Sequence, residues 1–139
     1  MNPANQPAIA ALVLRVSLGV MFLAHALLKL FVFTLPGTAQ FFASLGLPGL
    51  LGYVVFGAEL VGGVLLILGV QVRVVALALV PILLGATWAH FGNGWVFSAT
   101  GGGWEYPAFW TVALVVQALL GEGAWALATK PAPQLRAAP

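Results

Sequence analysis

The sequence contains no cysteine and no aspartate. Without cysteine there are no disulfides, no thiol redox chemistry and no Cys-ligated zinc or iron–sulfur centre. Charge of either sign is scarce: 6% of the 139 residues are charged, three Glu against five Lys+Arg. Soluble domains carry about 25% charged residues, so this chain cannot clothe a water-facing surface. An ordinary soluble enzyme and a disordered chain are both excluded. The net charge of +2 is dispersed and forms no basic stripe for nucleic acid. No GxxxxGK[ST] phosphate loop occurs, and Gly92-Asn93-Gly94 precedes no βαβ unit. What the chain has instead is apolar surface, at 62% of residues.

The apolar residues fall into continuous runs, which argues for helices rather than the alternating strands of a membrane barrel. A spanning helix needs about 20 mostly apolar residues. Four such segments are predicted, at about 9–33, 50–69, 72–91 and 106–128. Pro36-Gly37 ends the first, which lacks a charged n-region and reads as a retained helix rather than a cleaved signal. Pro81 lies inside the third and is expected to kink it. The expected fold is all-α, an integral membrane four-helix bundle over residues 1–128, with a cytoplasmic Pro/Ala-rich tail at 129–139.

Loop charges set the orientation. Arg73 lies at the turn between spans two and three, and Lys130 and Arg136 lie in the tail, whereas the loop after span one is uncharged. The positive-inside rule then places both termini in the cytoplasm of an inner (plasma) membrane protein. Lys29 opposes that assignment. Trp88, Trp95, Trp104 and Tyr106 gather at the outer ends of spans three and four, as an interfacial belt does. Ala58/Gly62 and Gly85/Ala89 are small pairs four apart and are expected to form packing seams.

Ionisable groups inside a span are costly and face the bundle interior. Arg15, Phe22, His25 and Lys29 fall along one stripe of span one. At 1.5 Å per residue, Arg15 and Glu122 each lie roughly 9 Å inside the inner face, and they are expected to pair. Glu59 lies roughly 13 Å below the outer face, level with His25 and one turn from Lys29. His25, Lys29, Glu59, His90, Glu105 and Gln117 are the candidate lining of a pocket in the outer half. Lys29–Glu59 could equally be an ion pair that fixes how spans one and two pack. His25 and His90 differ by roughly 10 Å in depth, too far for one haem iron, and no metal site is expected. The loop FGNGWVFSATGGGWE, Phe91 to Glu105, reads as an aromatic lid or as a loop resting on the interface.

In order along the chain, LRVSLGVMFLAHALLKL, FFASLGLP, GAELVGGVLLILGVQVRVVALAL, HFGNGWVFSATGGGWEYP and GEG together resemble the DoxX family of small four-helix membrane proteins. The resemblance spans about Leu14 to Ala128. It includes Arg15, His25, Lys29, Glu59, Arg73, His90 and the Gly101-Gly102-Gly103…Glu105-Tyr106 stretch. An Asp that the family often carries after the GxG of span four is missing, and Glu122 stands inside that motif. The resemblance implies association with membrane redox systems, quinol oxidase and thiosulfate–quinone oxidoreduction among them. It therefore points to a quinone or quinol as ligand and to a redox partner subunit. Nothing in the chain would carry electrons itself, so no intrinsic cofactor is expected. Whether it is an enzyme stays open. The alternatives are a non-enzymatic assembly or scaffolding subunit, homo-oligomeric or with another protein, and a small-solute or proton transporter. The transporter reading suffers from the lack of an inverted repeat.

Overall fold

The computed structural model describes residues 5–127. They form five α-helices: α1 Gln6–Phe31, α2 Leu35–Ser44, α3 Leu50–Leu68, α4 Val72–His90 and α5 Glu105–Leu120. A single 3₁₀ turn, Phe91–Asn93, follows α4. Among the described residues there is no strand. Helices α1, α3 and α4 are long and apolar enough to cross a membrane, and α5 is a shorter apolar helix. The chain is an all-α membrane bundle.

Two boundaries differ from the sequence expectation. The stretch after α1, expected to be a loop, contains α2. Helix α1 ends at Phe31, ahead of Pro36; Pro36 lies in the first turn of α2, where a proline lacks only an N–H that has no intrahelical partner anyway. The Thr34 side chain accepts from the Gly37 N–H at 3.2 Å and caps this helix. At the other end, α5 stops at Leu120 rather than about residue 128. Gly121 there adopts φ 83° and donates its N–H to the Gln117 carbonyl. The expected tail, 129–139, lies outside the described residues.

In a bilayer, helices associate through close packing rather than through the hydrophobic effect. Small residues supply that closeness here. A Cβ on Gly19 would come within 2.6 Å of Ile67 Cγ1 and 2.7 Å of the Gly63 carbonyl, so α1 and α3 pack backbone to backbone. Gly62 admits Leu79 of α4 in the same way. Gly85 does not form the expected seam, because a Cβ there would meet nothing within 4 Å. Leu18, Phe22, Leu66, Leu79, Leu83 and Leu114 belong to the shared core, while Phe31, Val54, Leu77 and Phe109 are exposed, as lipid-facing residues are.

The segment after α5 folds back across one end of the bundle. Ala124 donates its N–H to the Ala8 carbonyl at 2.9 Å, and Leu127 donates to Leu68 at 3.0 Å. The start of α1, the end of α3 and this segment therefore share one end. Helix α2 and the loop between α4 and α5 lie at the other.

Candidate functional site

Arg15 is 1% exposed and marks the first end. Its guanidinium donates to the carbonyls of Leu66, Ile67 and Ala124. Two of those carbonyls lie in the last turn of α3, where backbone oxygens lack their i+4 donor and the helix dipole is negative; that of Leu66 also accepts the Gly69 N–H. Arg15 is therefore a helix cap and a tie to the C-terminal segment. It forms no ion pair with Glu122, contrary to expectation; among the described residues the ion pair is Lys29–Glu59. Depth alone suggested Glu122, but the carbonyls at the end of α3 lie at the same level and have lone pairs to spare. Gln117 also belongs to this region. It is fully buried and donates through Nε2 to the Gly121 carbonyl at 2.7 Å.

At the other end, four of the six candidate residues line one cavity of about 810 Å³: His25, Lys29, Glu59 and His90. Glu105 and Gln117 do not. Sites for drug-sized ligands occupy about 300–1,000 Å³ and are mostly apolar with a few placed polar groups. This cavity has that character, with Thr38, Tyr106 and Trp110 completing its polar set among many aliphatic and aromatic residues. Lys29 donates from Nζ to Glu59 Oε1 and Oε2 at 3.0 and 2.8 Å, with the two side chains 16% and 5% exposed. The pair bridges α1 and α3 where the two helices are already in close contact.

Both histidines are oriented by their own helices. His25 Nδ1 lies 2.9 Å from the Met21 carbonyl and His90 Nδ1 lies 2.8 Å from that of Ala86. A carbonyl only accepts, so each neutral ring carries its proton on Nδ1 and offers Nε2 as an acceptor. Tyr106 fills that role for His90, donating its hydroxyl to Nε2 at 3.2 Å. His25 Nε2 has no protein partner among the described hydrogen bonds. The His25 ring leans on Trp110 at a centroid distance of 4.8 Å, and Trp110 in turn packs on Phe22 at 4.5 Å.

Sequence reasoning did not place Trp110, Thr38 or Tyr106 in this lining. One signal for two of them was present: Tyr106 and Trp110 are four apart, on one face of α5. Thr38 was hidden because its segment read as a loop.

The Gly-rich loop does not reach into the cavity; α2 supplies that cover through Phe41, Phe42 and Leu45. Glu105, the first residue of α5, is tied to the loop instead. Its Oε1 accepts the Phe97 N–H at 2.7 Å, and its N–H donates to the Trp95 carbonyl. Gly103 is required there because a Cβ would collide with the Trp95 and Val96 carbonyls. A Cβ on Gly102 would touch His90 and Tyr106 at 3.4 and 3.8 Å, so the loop braces that pair from outside.

The fold and the cavity together define a small helical membrane protein with a partly polar, ligand-sized recess at one end. The chain belongs to the DoxX family, whose sequence pattern matches residues 10–92. It is also 42% identical over 78 residues to a protein of Bacillus subtilis (strain 168) named "Putative oxidoreductase CatD". That match takes in 56% of this chain and 57% of the relative, so the chain spans little more than half of the protein it resembles. No solved structure matches.

Proposed function

We propose that the protein is a quinone- or quinol-binding subunit of a membrane redox system, with the cavity as its binding site. The observation that carries this reading is the convergence of His25, Lys29, Glu59 and His90 on one largely apolar recess. A quinone carbonyl needs a donor, and Lys29 has three N–H groups, of which Glu59 engages two. A quinol hydroxyl needs an acceptor, and His25 Nε2 is one. Glu59, held between Lys29 and the cavity, is placed to exchange protons. The bound quinone would supply the two-electron chemistry, and electrons would pass to or from a partner subunit. The relative named as an oxidoreductase supports a redox association. In this reading the chain sits in the inner (plasma) membrane with both termini in the cytoplasm and the cavity in the outer half.

Titration of the purified protein in nanodiscs with ubiquinone and menaquinone analogues tests this. Saturable binding of one of them is expected, weakened about tenfold or more by Glu59→Gln or His25→Phe, roughly the loss of one hydrogen bond to a charged or buried partner. Absence of saturable binding, or binding indifferent to both substitutions, refutes the reading.

The Lys29–Glu59 geometry also favours a second reading, a non-enzymatic assembly subunit. The pair bridges the two most closely packed helices and would then only fix their register. In that case Lys29→Met combined with Glu59→Gln leaves partner association and redox activity intact. Loss of activity in a normally folded double variant counts against it.

A further inference from the structure

The geometry points to a lateral opening: the cavity communicates with the bilayer interior through a gap between α3 and α4, and its ligand is a membrane-borne amphiphile whose hydrocarbon tail lies in that gap. This rests on the reading of the cavity as a ligand site and adds the route and the tail.

Helices α3 and α4 are antiparallel neighbours. They meet tightly at Gly62, where an added Cβ would lie 2.9 Å from Leu79 Cδ1. Six residues further along α4, roughly 9 Å on, an added Cβ at Gly85 would find nothing within 4 Å. Val55 and Glu59 on α3 and Ile82 and Ala86 on α4, on the faces in line with that contact, border the cavity, so the two helices part toward the end that bears α2. Pro81 lies between the point of contact and the open stretch.

Residues on both sides of this divergence line the cavity and are also exposed: Leu51 and Val54 on α3, Pro81 and Gly85 on α4. A residue that both lines a cavity and is exposed lies at its rim; Leu28, Phe33 and Phe41 mark the rim at the α1–α2 end, and these four mark it along α3 and α4. None of these four can hydrogen-bond through its side chain, so the mouth offers water nothing and offers a hydrocarbon chain a matching surface. Gly85 is five residues from the end of α4, roughly 8 Å below it, within the apolar depth of a spanning helix. Helix α2 leaves this side open, since it packs on α3 and α1. The Lys29–Glu59 pair stands deeper in the recess, on α1 and α3, so a ligand entering here leads with a polar head and trails its tail between α3 and α4.

The test uses the cavity-lining Trp110, which is 3% exposed, as the reporter. The other four tryptophans, Trp88, Trp95, Trp104 and Trp125, are replaced by Phe in the full chain. The protein is placed in nanodiscs of phospholipid brominated on its acyl chains, a short-range quencher of indole fluorescence. With Gly85 in place, Trp110 is expected to be quenched. Gly85→Phe, whose Cβ meets no neighbour, places a ring in the gap and is expected to abolish most of the quenching, whereas Gly85→Ala, which leaves the gap open, preserves it. Quenching that is absent with Gly85, or that survives Gly85→Phe unchanged, overturns the lateral opening. Titrating the same samples with a tailed quinone reports separately on the proposed function. Gly85-dependent quenching without quinone binding would sink the quinone and leave the opening in place.

Discussion

Arg15 shows how a single buried cation can be matched without a counter-ion. Its three acceptors are backbone carbonyls, and hydrogen bonds to a charged group contribute about 1.5–3 kcal/mol each. Arg15→Leu is therefore expected to destabilise the protein by about 3 kcal/mol or more, read as a lowered midpoint in thermal unfolding in detergent. Arg15→Lys recovers only part of this, because an ammonium on a flexible stem cannot reproduce the planar fork. Glu122→Gln stays within about 0.5 kcal/mol of the parent, as substitutions away from such features do. An Arg15–Glu122 ion pair would require the two losses to be comparable. The contrast explains what the sequence revealed at this scale. Lys29 and Glu59 were legible as neighbours because their depths agree and few other charges compete. Arg15 was misassigned because depth arithmetic sees side chains only, and its real partners are carbonyls that every sequence carries.

Helix by helix, the long apolar runs fixed α1, α3 and α4 to within about three residues at each end, because the bilayer imposes a minimum length. Helix α2 escaped notice for the opposite reason: ten residues are too few to span, and Pro36-Gly37 is a stop signal for one helix and a start signal for the next. Small residues were ambiguous in a similar way. Gly62 and Gly85 look alike in sequence, yet one is packed and the other open. That difference is measurable. Gly19→Ala drives a methyl into Ile67 and the Gly63 carbonyl and is expected to cost about 1–3 kcal/mol, as overpacking does. Gly85→Ala meets no neighbour and is expected to stabilise by up to about 1 kcal/mol, the usual penalty of glycine inside a helix. Parallel thermal melts of the two variants check the pair; equal effects would contradict a packed environment at Gly19 and an open one at Gly85.

For the whole molecule, the alternating directions of α1, α3, α4 and α5 place the α4–α5 loop and the segment after α5 at opposite ends. The absence of native cysteine makes this testable without background labelling. Ser98→Cys in the loop and Leu127→Cys, both exposed positions, are expected to react with a membrane-impermeant maleimide from opposite sides. In intact cells Ser98→Cys labels, and Leu127→Cys labels only after permeabilisation, if the termini are cytoplasmic as proposed. The reverse pattern would invert the molecule and move the cavity to the inner half. Helix α5, with 16 residues, rises roughly 24 Å, less than the ~30 Å hydrocarbon core. The backbone bonds of Ala124 and Leu127 hold the segment that follows it against the bundle, where its polar groups are met by protein rather than by lipid.

The tie made by Arg15 also bears on biogenesis. Its acceptors lie 51, 52 and 109 residues downstream, so the first helix leaves the ribosome with its guanidinium unmatched. Two acceptors arrive with the end of α3, and the third only after α5 has been made. A truncated or stalled copy ending at Leu120 thus keeps a partly unsatisfied cation within its transmembrane region, a chemical difference from a copy that includes Ala124 and one that membrane surveillance can read.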